Sequence, residues 1–403
     1  MEIKLELIHS SGEVRRLFFV LSMKRLILAL LGILWIIFAP ILVRINFMRQ
    51  KVKTNREDIL MISSDNFRFY PHNENNLNGA TKVNESLLED LNKIVSKVHG
   101  IGIDKNFFRS VYAICGKREN RKKFLLSEKV LISVPGHSGF LAFFLAKLCL
   151  KEVFFIAHNA EFLHRVEWAQ NSKGFMRKLK FRYRAVKGIV ADFLVVQSSK
   201  KILVLGELEI DEYWKRLGRK RNIENITHFP YVPPNRLRNS KKQKHRKYIA
   251  LIGSYAKPVG ENRLSVDFME CVTHIKNEVN KKGYLLVAFG NGITLDECDE
   301  NWGFLDDKEY LKRFGNVEAI IVPQDWGWGF KTKIADSLYN NQRVFVSDKI
   351  AARYRSLECG LEVVTNWNQF RIKKINKLRK ESVNELLRNQ QKKREQILHE
   401  ICD

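Results

Sequence analysis

Paired cysteines are missing from this chain. The six that occur, Cys115, Cys149, Cys271, Cys298, Cys359 and Cys402, are scattered, with no CxxC and no metal-type spacing. That excludes a disulfide scaffold and a zinc module, and reads as buried or incidental thiols of a reducing compartment. Acidic residues are also scarce, 44 against 70 Lys and Arg, which leaves a net charge of +26. A surplus of this size implies a polyanionic partner: nucleic acid, anionic lipid or a phosphorylated substrate. Apolar residues are not scarce. At 45% of 403 residues they are ample for packed cores, so wholesale disorder is excluded, and the length suits two domains plus an extra segment.

One stretch lacks charge altogether. Residues 26–43, LILALLGILWIIFAPILV, are just long enough to cross a hydrocarbon core. Lys24 and Arg25 precede it, and Arg44, Arg49, Lys51, Lys53 and Arg56 follow it. The excess on the C-terminal side predicts a membrane anchor with the main body cytoplasmic. A signal peptide is the rival, but no small-x-small cleavage site follows, and Pro40 leaves a re-entrant insertion open.

Beyond this segment the pattern is α/β. Apolar runs at 59–64, 129–134, 153–157, 248–252, 285–289, 319–322 and 343–347 read as buried strands with helical stretches between them. Phe229-Pro-Tyr-Val-Pro-Pro234 followed by NRLRNSKKQKHRK is a composition shift that predicts a linker. The expected organisation is a segment 1–50 bearing the anchor, domains over 51–234 and 235–370, and a basic helix over 371–403. Heptad positions in that last helix hold too few apolar residues for a coiled coil.

The densest motif is DWGWGFKTKIADSL, residues 325–338, between the strand ending at Pro323 and the strand Arg343–Ser347. Gly327 and Gly329 would let the backbone approach a ligand, and the N–H groups of Phe330 and its neighbours would be left unpaired at a helix start. Such a terminus favours an anionic phosphate, and Lys331 and Lys333 add charge there. Asp336, one turn on, would stand where a carboxylate accepts hydrogen bonds from sugar hydroxyls. A βαβ unit whose glycines merely turn the chain is the plainer alternative. His137 and His158 each follow a predicted parallel strand, where open α/β sheets bind ligands.

The order GxGFKTKxxxSL after a Val-Pro strand, then RVFVSD, resembles the donor site of family 4 glycosyltransferases. The resemblance extends over about residues 59–366, through HNxE at 158–161, the "aD-vvv-S" strand at 191–198 that would close the first domain's parallel sheet, the Gly253-Ser254 strand end and the Gly290 loop. It implies the retaining GT-B fold, two Rossmann-like domains facing across a cleft. It further implies a membrane-associated enzyme moving a sugar from a nucleotide-sugar to a lipid-linked or polysaccharide acceptor in cell-surface glycan synthesis. Catalytic roles would fall to His158, Lys333 and Asp336. Donor contacts would come from Gly253, Ser254, Lys257, Gly290, Gly327, Gly329, Phe330 and Lys331; Asn78, Gly79 and His137 would lie on the acceptor side. Asp336 stands where the family has Glu, and Trp328 where it has a second Glu. No metal and no cofactor is expected beyond the nucleotide-sugar substrate, and no DxD pair is present.

Residues 165–187 interleave cations with aromatics, which suits an anionic membrane surface. A nucleic-acid partner competes with this reading but leaves the 26–43 run unexplained, so none is expected. A nucleotide-sugar epimerase and a non-catalytic GT-B scaffold are the remaining alternatives.

Overall fold

A computed structural model describes residues 55–64, 79–103, 109–110, 112–134, 137–172, 174–218, 220–238, 247–252, 266–290, 295–303, 305, 307–323, 328–372 and 378–403. Residues from Thr54 onward form one compact unit. The apolar run 26–43 lies outside the described residues. Among these, no helix is long and apolar enough to cross a membrane.

In chain order the first half contains β1 (Asn55–Ser64), α1 (Gly79–Ile94), β2 (Lys97–Ile103), α2 (Arg118–Leu126), β3 (Ser127–Ser133), α3 (His137–Leu148) and β4 (Glu152–Ala157). It continues with α4 (Glu161–Asn171), α5 (Phe175–Ser198), β5 (Lys201–Val204) and β6 (Ile226–His228). The second half contains β7 (Tyr248–Ile252), α6 (Val266–Asn280), β8 (Leu285–Phe289), β9 (Glu300–Gly303), α7 (Asp307–Phe314), β10 (Val317–Val322), α8 (Thr332–Tyr339), β11 (Arg343–Ser347), β12 (Leu361–Val364) and α9 (Leu378–Cys402).

The strands form two six-stranded sheets, ordered β2-β1-β3-β4-β5-β6 and β12-β11-β10-β7-β8-β9. Every pairing is parallel. The second order is the doubly wound Rossmann order, reversing between β7 and β10; the first reverses at β1 and β3. Each reversal opens a crevice at the carboxyl ends of the strands, where ligands enter such sheets. The expectation of two Rossmann-like sheets is met by this strand order.

Continuous apolar runs form these strands because helices cover both faces. In β7, Ala250 and Ile252 pack into one core cluster, while Ile249 and Leu251 pack into another on the opposite face. A strand whose alternate residues enter two cores cannot slip by one position without exchanging every side chain.

One strand expectation fails. Ala191–Ser198 is the last part of α5, not a strand, and the strand of this region is β5, a few residues later. Phe181, Ala185, Gly188, Asp192 and Val195 are buried at alternating steps of four and three, which is one face of a helix. The Val-rich sequence imitates a strand, but tertiary packing sets the period.

The chain from Phe229 to Pro234 runs buried between the last strand of one sheet and the following helix turn. Helix α9 returns to the first sheet. Arg394 is fully buried and donates from Nε to Asp90 Oδ2 at 2.7 Å and from an Nη to the Pro230 carbonyl at 3.3 Å. Lys129 Nζ reaches the Cys402 carbonyl at 2.5 Å, and Lys201 pairs with Glu400. The C-terminal helix therefore clasps the sheet formed by the N-terminal half of this unit.

Candidate active site

After β10 the chain passes through Gly329 into α8. Gly329 has φ +97, and a Cβ there would lie 1.9 Å from Asn159 Oδ1, so both backbone conformation and space require glycine. Asn159 follows His158 at the end of β4. The carboxyl ends of the two sheets therefore touch at this point.

Two of the donors at this turn are engaged. Gly329 N–H donates to Glu209 Oε1 at 2.7 Å, and Lys331 N–H donates to the Tyr354 hydroxyl at 2.6 Å. Buried amides do not remain open when a carboxylate or hydroxyl can reach them. Phe330 is wedged between Tyr231 and Tyr354, with ring centroids 5.6 and 5.0 Å away. The turn is thus held by aromatic packing as well as by hydrogen bonds.

Lys331, just before α8, and Lys333, on its first turn, are half-buried. Desolvation pushes Lys331 down to about 8, helped by Arg353 and opposed by Glu167. Desolvation also brings Lys333 to about 8, with Lys82 adding to the effect and Asp336 opposing it. Lys333 Nζ sits 5.0 Å from the Phe289 ring centroid. No ion pair to either Nζ is found among the described residues.

Asp336 is completely buried. Its Oδ2 takes Lys82 Nζ at 2.6 Å and its Oδ1 takes the Tyr231 hydroxyl at 2.9 Å. Lys82 lies on α1 and Tyr231 on the crossing segment, so this carboxylate ties α8 to the first half of the chain. Expected to face sugar hydroxyls, Asp336 already accepts one hydrogen bond on each oxygen and has no exposed surface.

On the first sheet, His158 is buried and its Nε2 lies 2.9 Å from Ser133 Oγ. Ser133 in turn donates to Asn84 Oδ1. Because that hydroxyl has one proton to give, Nε2 carries the imidazole proton and Nδ1 is left as an acceptor. Desolvation pushes His158 down to about 4, so the ring is neutral at ordinary pH. It borders a cavity of about 80 Å³ with Phe140, Asn159, Arg165, Arg184, Asp192 and Trp214 in its wall. Asp192 accepts from the Tyr213 hydroxyl at 2.5 Å.

Glu209, just past β5, is the residue that the sequence pattern did not single out. It is 2% exposed, and its carboxylate lies beside the Trp214 indole N–H and the Ala160 backbone N–H. Desolvation raises it to about 7 against the opposing effects of the Gly329 N–H and Arg353. Glu207, two residues earlier, accepts the Ser356 N–H at 2.6 Å. The rule that pointed to His158, a polar residue just past a parallel strand, applies equally here; β5 has only four residues and left no readable run. Lys82, Tyr231 and Tyr354 carried no sequence signal.

Of the other expected site residues, Gly290 ends β8 with its N–H on the Gly303 carbonyl at 3.0 Å. Gly79 and His137 are the first residues of α1 and α3. Asn78, Gly253, Ser254, Lys257 and Gly327 lie outside the described residues. Among the described residues, no group of three or more His, Cys, Asp or Glu is arranged to hold a metal ion.

No protein-family model matches the chain, and no curated protein matches it in sequence. Several solved structures are similar to it. Sucrose-phosphate synthase from Thermosynechococcus elongatus is 10% identical over 86% of this chain and 94% of its own, with a TM-score of 0.47. HepE of Anabaena, solved with UDP-glucose, is 8% identical over 86% and 93%, with a TM-score of 0.48. A glycosyltransferase from Rickettsia africae is 13% identical over 87% and 93%, with a TM-score of 0.42.

Proposed function

We propose that the chain is a glycosyltransferase of GT-B type that moves a sugar from a nucleotide-sugar to a lipid-linked or polysaccharide acceptor. The observation that carries this reading is the pair Lys331 and Lys333. Two half-buried ammonium groups with lowered basicity stand at the start of α8, beside the β7/β10 reversal, with no carboxylate pair among the described residues. Burying unpaired charge is costly. An anionic ligand with two or more charges, as a nucleoside diphosphate has, would relieve that cost.

In this reading the two lysines take the diphosphate. Charge on the leaving diphosphate grows toward the transition state, so fixed cations there contribute to turnover more than to ground-state binding. His158 is held neutral by burial and oriented by Ser133, and its Nδ1 would accept a hydrogen bond from a hydroxyl of the transferred sugar. Asp336 is a positioning residue that sets α8 through Lys82 and Tyr231. Retention of configuration, independence from metal, and a cytoplasmic body anchored by residues 26–43 belong to the same proposal.

The test is release of nucleoside diphosphate from a panel of nucleotide-sugars by the purified full chain, with and without glycan or lipid-linked acceptors. Transfer that requires acceptor supports the proposal. Product formed without any acceptor would favour an epimerase, and binding without turnover would favour a non-catalytic scaffold.

A further inference from the structure

Helix α5 has an outer face that transfer in the cleft does not explain. Phe175 is 76% exposed, Met176 73%, Leu179 49% and Tyr183 62%, half of the eight exposed large hydrophobic residues among the described ones. Scattered exposed apolar side chains are ordinary, but a cluster on one helix is not.

Their direction is informative. Advancing about 100° per residue, Phe175, Leu179, Tyr183 and Met176 fall within about one quadrant of the helix. The buried residues Phe181, Ala185, Gly188 and Asp192 fall about opposite them on the same projection. The apolar stripe therefore points straight away from the buried side of the helix. Lys178 and Arg182 flank it on one side, Lys180 and Lys187 on the other, and all four are exposed. No acidic residue occurs between Glu167 and Asp192.

We infer that this face of α5 docks on an anionic bilayer, with Phe175, Met176 and Leu179 entering the headgroup–acyl boundary and the flanking cations held at the lipid phosphates. Apolar residues in the middle with cations at both margins is the arrangement of an interfacial helix. A second copy of the chain is disfavoured, because the two cationic margins would repel each other. Nucleic acid would engage the cations but would leave the outward Phe175, Met176 and Leu179 without a partner. The inference does not depend on the transferase reading, nor on the 26–43 segment. The inner side of the same helix contributes Arg184, Gly188 and Asp192 to the wall of the His158 cavity. Docking would therefore hold that cavity next to the lipid headgroups.

The experiment uses the full chain carrying Met176→Trp, with the parent chain as background and circular dichroism to check the fold. Vesicles of phosphatidylcholine bearing brominated acyl chains are compared with and without about one third phosphatidylglycerol. The introduced tryptophan should be quenched with the anionic vesicles and not with the neutral ones. Raising salt from about 0.1 M to about 1 M, which shortens the screening length from about 10 Å to about 3 Å, should reverse the quenching. Each of Lys178→Gln, Lys180→Gln, Arg182→Gln and Lys187→Gln should weaken docking about fivefold. Because the signal is the difference from the parent chain, whose seven tryptophans include Trp35 within residues 26–43, insertion of that segment alone cannot produce it. Absence of extra quenching, or equal quenching on neutral vesicles, would overturn the inference. So would shielding of the same tryptophan from iodide by single-stranded RNA as complete as that given by anionic vesicles.

Discussion

Replacing Asp336 by alanine removes the single carboxylate that holds Lys82 and Tyr231 together, and the consequence can be worked out from their burial. Lys82 is 5% exposed, Tyr231 4% and Asp336 not at all, so water cannot substitute for the lost partner. Breaking a buried pair from one side leaves an uncompensated charge and costs about 3–5 kcal/mol. Urea unfolding should show that loss, provided Lys82 stays charged. The double variant Lys82→Met/Asp336→Leu has no stranded ion and should recover most of the stability. A double-mutant cycle built on Lys82→Met and Asp336→Leu should therefore be strongly non-additive. Nucleotide affinity, read by calorimetry on the same proteins, should fall in Asp336→Ala and return in the double variant, because the carboxylate acts through the placement of α8. If Asp336→Ala keeps full stability and loses only nucleotide affinity, the carboxylate is a direct ligand, and the tie between the halves is not what holds α8.

Gly329→Ala should abolish turnover while leaving a folded protein; adding Asn159→Ala removes the 1.9 Å overlap but not the strained φ, so rescue should be partial. Nucleoside diphosphate affinity should decline as pH rises through about 8, where Lys331 and Lys333 lose their protons in the free protein. Stability should move the other way. The unfolded lysines keep protons up to about 10.5, so the unfolded state binds more protons between about 8 and 10.5 and the fold gains with pH in that window. For Glu209, raised to about 7, the native state binds the extra proton. Stability should therefore fall as pH climbs from about 4.5 to 7, and Glu209→Gln should flatten that slope in pH-dependent urea titrations.

The parts of the fold that show in the sequence are those whose signal is local. Runs such as Ile59–Ser64, Lys129–Val134 and Tyr248–Ile252 form central strands because each is apolar on both faces. The edge strand β2, Lys97–Ile103, carries His99 and two glycines and gives no such run. Strands β5 and β6, four and three residues long, are too short to be read. The site divides the same way. His158 and Gly329 were visible because chain position alone, past a strand or before a helix, gives them meaning. Lys82 and Asp336 are 254 residues apart, and Glu209 and Gly329 are 120 apart. Such partnerships are made by the packing of two sheets, and a lysine among so many offers no pattern to find.

The central claim is that the lysines at the start of α8 take a diphosphate while His158 takes the sugar. It is tested most directly by nucleoside diphosphate affinity and transfer rate in Lys331→Ala, Lys333→Ala and His158→Ala, measured near pH 7. The account predicts that one lysine variant, Lys333→Ala, loses turnover more than affinity, because its charge counts most in the transition state. It predicts that His158→Ala impairs transfer and leaves diphosphate affinity nearly intact. If His158→Ala loses diphosphate affinity as badly as the lysine variants, the division of the site between the two sheets is wrong.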